Sequence, residues 1–376
     1  MHRTATRSTR RASTIGGVAA AAVLLASCSA PSGGPAAPED VAPPPSGGGV
    51  HVVATTTILG DVVGQVVACG GGTVETLMPV GADPHDYSPS SSAVRSLVEA
   101  DLVIANGLGL EEGLSSALAS AEQDGAVVLE IAPLVNPIPF GSGEHTDDDH
   151  SHEDDHDEHA DDEHADDEHA DDDHGHEDDE HADDEHADDE HADDGHGHDH
   201  GSEDPHVWLD VSRMADAAAL VGVELATITG DAAFEECGAT VAEELSAVDA
   251  EVREILDAVP AGDRRLVTDH EAFGYFADSY DFEVVGVVVP GGSTLADTSS
   301  AALAALADTV RTTGTPAVFA NVEAPSTLVD ALAAEVGHVA VVPLHVGSLG
   351  AQGSDAEDYA SMMLTNARLI AAALAG

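Results

Sequence analysis

Hydrophobic and polar positions fall into three patterns along this chain. Between residues 50 and 140, short apolar runs alternate with segments of helical period. They predict strands at 50–56, 73–78, 102–105 and 127–131, and helices at 58–68, 93–100 and 111–122, the second helix opened by a Ser-Pro-Ser-Ser cap. From residue 261 the rhythm returns, with strands at 266–268, 283–289, 317–320 and 339–342 and helices at 271–279, 299–312, 326–336 and 359–374. Such alternation predicts an α/β protein whose mainly parallel sheets carry helices on both faces, built twice over. Between the halves, Phe234, Val241, Leu245, Val248, Val252, Ile255 and Leu256 keep helical spacing. A continuous helix there runs roughly 30–40 Å and joins the lobes as a stiff strut; a break at Gly238 instead gives two shorter helices.

The third pattern has no apolar period. Residues 144–204 hold 33 Asp or Glu and 15 His among near-repeats of Ala-Asp-Asp-Glu-His. The imidazoles are His145, His150, His152, His156, His159, His164, His169, His174, His176, His181, His186, His191, His196, His198 and His200. A five-residue spacing matches neither helix nor strand, so no face collects them. With almost nothing apolar to offset its ordering entropy, the tract is expected to be disordered. Its imidazoles and carboxylates suit Zn²⁺, Cu²⁺ or Ni²⁺ held weakly, many at a time, and less well as pH falls through the 6–7 region. The alternative is an acidic, solubilising spacer.

Composition narrows the function. The chain has 376 residues, a formal charge of −61, 72 acidic side chains, and 11 basic ones that are all Arg. That balance excludes nucleic acid as a partner, since phosphate binding needs a basic footprint. Without a single Lys there is no Gly-x-x-x-x-Gly-Lys loop, so the chain is not an ATPase of that type.

The N-terminus carries Arg3, Arg7, Arg10 and Arg11 before an apolar run at 15–26, too short to span a bilayer and suited to a secretory leader. Leu25-Ala26-Ser27-Cys28 resembles a bacterial lipobox, which makes Cys28 the lipid-modified first residue of the mature protein. The Pro-, Gly- and Ser-rich stretch after it reads as a flexible tether, and no other segment has the length and apolarity to cross a membrane. Cys69 and Cys237 then sit in an oxidising compartment, where they are expected to pair; two buried free thiols are the alternative.

Three further histidines stand in tight local contexts. His85 lies in Gly81-Ala82-Asp83-Pro84-His85-Asp86-Tyr87-Ser88-Pro89, and His206 in Asp204-Pro205-His206-Val207-Trp208-Leu209-Asp210, a second Asp-Pro-His turn beside the only Trp. His270 follows the strand at 266–268, at the sheet edge where α/β folds bind ligands.

These segments, with Ala100-Asp101-Leu102-Val103-Ile104-Ala105-Asn106-Gly107-Leu108-Gly109-Leu110-Glu111, resemble the extracytoplasmic metal-binding receptors of bacterial ABC importers for zinc and manganese, over residues 50–374. The resemblance implies two similar lobes joined by one long rigid helix, with a single metal in the cleft. Carried over by position, its ligands are His85 and His206 from the N-terminal lobe and His270 from the C-terminal lobe. Manganese receptors of the family typically have a carboxylate where His270 stands, and three imidazoles suit Zn²⁺ better. The His-rich insertion also looks like the zinc branch. An Asp that the family often shows aligns with Gly347, which leaves the fourth position to water, His345 or Asp355. Asp86, Asp210 and Glu271 are the sequence neighbours available to orient the rings.

The expected organisation is a lipoprotein signal peptide at 1–27, a tether at 28–49, the N-terminal lobe at 50–140 and 205–230, the acidic His-rich loop at 141–204, the linking helix at 231–260 and the C-terminal lobe at 261–376. The expected function is capture of extracytoplasmic Zn(II) by a monomer that Cys28 anchors to the cell membrane, for delivery to an ABC permease with a separate ATPase. A zinc-buffering or metal-delivering surface lipoprotein without transport is the first alternative. A three-His zinc hydrolase with Glu271 as base is the second; the preferred reading is not an enzyme.

Overall fold

The computed structural model of the chain describes residues 49–141 and 203–375, apart from 292 and 297. The leader, Cys28, the tether and almost all of the His-rich tract lie outside the described residues.

The N-terminal lobe comprises β1 (His51–Ala54), α1 (Thr57–Gly70), β2 (Thr73–Thr76), α2 (Ser91–Glu99), β3 (Leu102–Ala105), α3 (Ser115–Gln123) and β4 (Val128–Glu130). After the tract come α4 (Val211–Thr229) and α5 (Ala233–Leu256). The C-terminal lobe holds β5 (Arg265–His270), α6 (Gly274–Tyr280), β6 (Glu283–Val289), α7 (Ser300–Thr313), β7 (Ala317–Asn321), α8 (Thr327–Val336), β8 (Ala340–Leu344) and α9 (Tyr359–Leu374). Each lobe has one four-stranded sheet, ordered β2-β1-β3-β4 and β6-β5-β7-β8, with every pairing parallel. The first strand of each lobe sits inside its sheet, so the chain leaves it toward one edge and later returns to its other side. Such a switch point opens a crevice at the carboxyl ends of the strands.

Alternation along the strands sorts side chains between two interiors. Val52 and Ala54, Leu102 and Ile104, Leu266 and Phe319 face one hydrophobic core shared by both lobes, which also takes in Met214, Val241, Phe276, Met363 and Ile370 from the helices. Their neighbours Val53 and Val103 enter a smaller core under α2 and α3, and Val267 and Val318 one under α7 and α8. Both faces of each sheet are covered, which is why β3, Leu-Val-Ile-Ala, reads as an unbroken apolar run.

Helix ends follow local chemistry. Thr56, Ser90, Asp210, Ser299 and Asp358 each accept a backbone N–H at a helix start, and α1, α4, α7 and α8 stop at glycines with positive φ.

Two of the differences from the sequence expectation have clear local causes. The predicted helix at 111–122 begins only at Ser115, because the Glu111 carboxylate accepts the backbone N–H groups of Asn106 and Gly107 and holds the preceding loop in a tight return. The 19-residue α4, at 211–229, has no counterpart among the predicted elements, since its Ala-rich sequence spreads small apolar residues around most of the helix.

The linking helix is a single 24-residue α5, about 36 Å long at 1.5 Å per residue. Gly238 is its contact point with α4 rather than a break. A Cβ there would lie 2.7 Å from the Ala218 carbonyl oxygen, and one on Gly222 would lie 2.6 Å from that of Phe234, so the paired glycines let the two helix backbones touch. The expected disulfide is present: Cys69 of α1 bonds Cys237 of α5, with Cα atoms 5.9 Å apart and a sequence separation of 168. Among the described residues no helix is long and apolar enough to cross a membrane.

Candidate metal centre

The three histidines singled out by sequence converge at the carboxyl ends of the two sheets. His85 sits on the connection from β2 to α2, His206 follows the tract, and His270 is the last residue of β5. Their ring centroids stand 5.3–5.8 Å apart. One ligand atom from each lies within 4.8 Å of the others, and the Nε2 atoms of His85 and His206 are 3.2 Å apart. Two nitrogens bound to one tetrahedral Zn²⁺ stand about 3.3 Å apart, given Zn–N distances near 2.05 Å.

Local chemistry builds each position. In both Asp-Pro-His turns the Asp Oδ1 accepts the backbone N–H of the His two residues on, at 3.0 Å for Asp83 and 2.9 Å for Asp204. Asp204 goes further and takes the Nδ1–H of the His206 ring at 2.7 Å. His270 donates Nδ1–H to Asp269 at 3.1 Å, and the other oxygen of Asp269 accepts the backbone N–H of Asn321. Both rings thereby present Nε2 as a lone pair.

The orienting acceptors are thus Asp204 and Asp269, not Asp210 and Glu271. Asp210 caps α4 and binds Arg213 and Ser279, while Glu271 accepts the backbone N–H of Gly291. The first pair was legible in principle: each turn repeats Asp two before His, and Asp269 directly precedes its ring.

The Asn106-to-Glu111 loop supports the same site. Buried Glu111 accepts Thr55 and the loop N–H groups, and the amide of Asn106 donates to the Pro205 carbonyl at 2.9 Å. From the C-terminal lobe, Tyr275 donates to the Asp204 carbonyl at 2.6 Å. Trp208 packs its ring on His206 and donates Nε1–H to the Val346 carbonyl.

The fourth position takes no described carboxylate. Gly347 lies against the first turn: a Cβ there would come within 2.8 Å of Pro84 Cδ, so an Asp at 347 requires the turn to move. His345 and Asp355 do not fill the place either. His345 points Nδ1 toward Glu323 at 3.5 Å, and Asp355 is exposed in the loop before α9; neither belongs to the cluster.

His206 and His270 are buried, at 0% and 2% exposure, and His85 is half-buried. Burial holds the His206 pKa well below the ordinary imidazole value. Burial also opposes charge on His270, but the hydrogen bond and charge of Asp269, with Asp83 and Asp204 beyond, outweigh it and leave its pKa raised. Burial pushes the Asp204 carboxyl up to about 7, against the pull of the His206 N–H and of His270. The raised pKa keeps a proton on His270 to higher pH than on an ordinary imidazole, and a bound cation has to displace it. Apparent affinity for zinc should rise steadily from pH 6 to pH 8, with proton release on binding visible as buffer-dependent heats in calorimetry. A flat affinity over that range would contradict the assignment.

Comparison with known proteins bears on the chain as a whole. The family model described as zinc-uptake complex component A, periplasmic, matches residues 52–373. The zinc-binding protein TroA of Treponema pallidum is 27% identical over 318 residues, covering 82% of this chain and 84% of that protein. The manganese-binding lipoprotein MntA of Halalkalibacterium halodurans is 22% identical over 311 residues, covering 82% and 83%. The solved structure of the periplasmic zinc-binding protein TroA superposes with a TM-score of 0.65 at 25% identity, covering 87% of this chain and 99% of that one.

Proposed function

We propose, on the premise that this chain belongs to the family of zinc-uptake complex component A over residues 52–373, that it captures extracytoplasmic Zn(II) at His85, His206 and His270. It then passes the ion to an ABC-type permease driven by a separate ATPase, while a lipid on Cys28 keeps it at the cell membrane. The family is one of metal-binding uptake receptors and not of enzymes. Relatives are named for zinc and for manganese, so the metal has to be argued from this chain.

What carries the zinc reading is the donor set: three imidazole nitrogens and no carboxylate in the cluster. Imidazole suits Zn²⁺, whereas Mn²⁺ prefers oxygen donors and stands lowest in the divalent affinity order. Glu271, the base a hydrolase would need, is occupied with the Gly291 N–H.

Native mass spectrometry of the intact protein and of a version lacking 142–202 tests the reading. The ends of the excised stretch already meet, since Asp204 N–H donates to the Ile138 carbonyl at 2.8 Å and Pro139 bridges to Glu203. One zinc should survive buffer exchange in both proteins, with extra, weakly held ions only in the intact one. A shortened protein that retains no zinc, or that prefers manganese, would overturn it.

A further inference from the structure

The connection from β6 to α7 runs past the metal centre and is tied on three sides. Within its own lobe, Gly291 N–H donates to Glu271 at 3.0 Å and Thr298 Oγ1–H to the Val288 carbonyl at 2.6 Å. Across the cleft, Thr294 Oγ1–H donates to Asp83 Oδ2 at 2.5 Å. Asp83 is thus shared between lobes: one oxygen fixes the His85 backbone and the other accepts Thr294. Glu271, which anchors the near end of the connection, directly follows His270.

We infer that Thr294 is a positioning residue for the captured ion, acting through Asp83 on His85. An ion coordinated by His85 and His270 would join the two lobes, and the Thr294–Asp83 bond joins the His85 turn to the β6–α7 connection, itself tied to Glu271. The two links close one ring: Thr294, Asp83, His85, ion, His270, Glu271, Gly291. Each link holds the other's ends in place, so they strengthen one another reciprocally. His85 is where this matters, because it is the least buried of the three. The ring slows departure of the ion more than its arrival, since the ion meets His206 and His270 in positions their own Asp partners already set.

This inference rests on the zinc-binding reading above, and the experiment separates the two. Zinc alone is loaded on wild type, Thr294→Val, Thr294→Ser and His270→Ala, and its release is followed by stopped-flow with excess chelator. Val keeps the shape and removes the donor. A hydrogen bond to a charged group is worth roughly tenfold or more in an equilibrium. Thr294→Val should therefore release zinc severalfold and up to about tenfold faster, with an association rate within about twofold of wild type, while Thr294→Ser behaves as wild type. An unchanged release rate in Thr294→Val, or equal acceleration in Thr294→Ser, would overturn the role. So would acceleration matched by a lower melting temperature of the zinc-free variant. If wild type fails to hold zinc, or holds it as tightly without His270, the zinc reading itself fails.

Discussion

Alanine in place of His206 is expected to abolish tight metal binding. The ring is fully buried and both its nitrogens are committed, Nδ1–H to Asp204 and Nε2 toward His85. No described side chain stands by to replace it, because the cluster contains only His85 and His270 besides. Loss of an orienting partner of a metal-bound imidazole costs about 10–100-fold in affinity, so loss of the imidazole itself should exceed about 100-fold. Asp204→Ala supplies the smaller figure for comparison, and Asp204→Asn less still, since an amide oxygen can accept the same Nδ1–H. Chelator competition measures all three. The order His206→Ala, Asp204→Ala, Asp204→Asn, from most to least damaging, is the expected result; His206→Ala within tenfold of wild type would refute the site.

The second large effect is on stability. Replacing Cys69 and Cys237 together by Ser removes a cross-link that closes a 168-position separation. On the chain-entropy account a loop that long stabilises by about 5 kcal/mol, and measured losses of native disulfides run about 2–5 kcal/mol. The bridge joins the last turn of α1 to the second turn of α5, so it pins the linking helix to the N-terminal lobe. Denaturant unfolding should shift to a clearly lower midpoint in the double variant, and reduction of wild type should reproduce that shift. Identical midpoints for oxidised and reduced protein would show that packing of α5 against α1 and α4 already suffices.

Much of this was legible from sequence because it depends on short-range pattern. Strand–helix alternation gave both lobes, and two Asp-Pro-His turns plus a strand-end His gave the three imidazoles. What stayed hidden depends on contacts between distant segments. Nothing local marks Gly238 as the seat of a helix crossing, since its partner Gly222 lies on another helix. Glu111 reads as the start of a helix until the N–H groups of Asn106 and Gly107 are seen to need its carboxylate. Gly347 looks like a missing ligand, yet its side-chain space belongs to Pro84, more than 200 residues away along the chain. Thr294 carries no motif at all; only the fold sets it against Asp83.

The apolar interior common to both lobes limits how the receptor can work. Prying the halves apart would open a hydrophobic cluster to which both lobes contribute, at about 1.5–3 kcal/mol for each large side chain exposed. It would also break the bonds from Trp208 to Val346 and from Tyr275 to Asp204. A jaw that swings wide is therefore too expensive for this molecule. Motion confined to the turns at the rim would leave that interior closed, and it is the change such a frame leaves open.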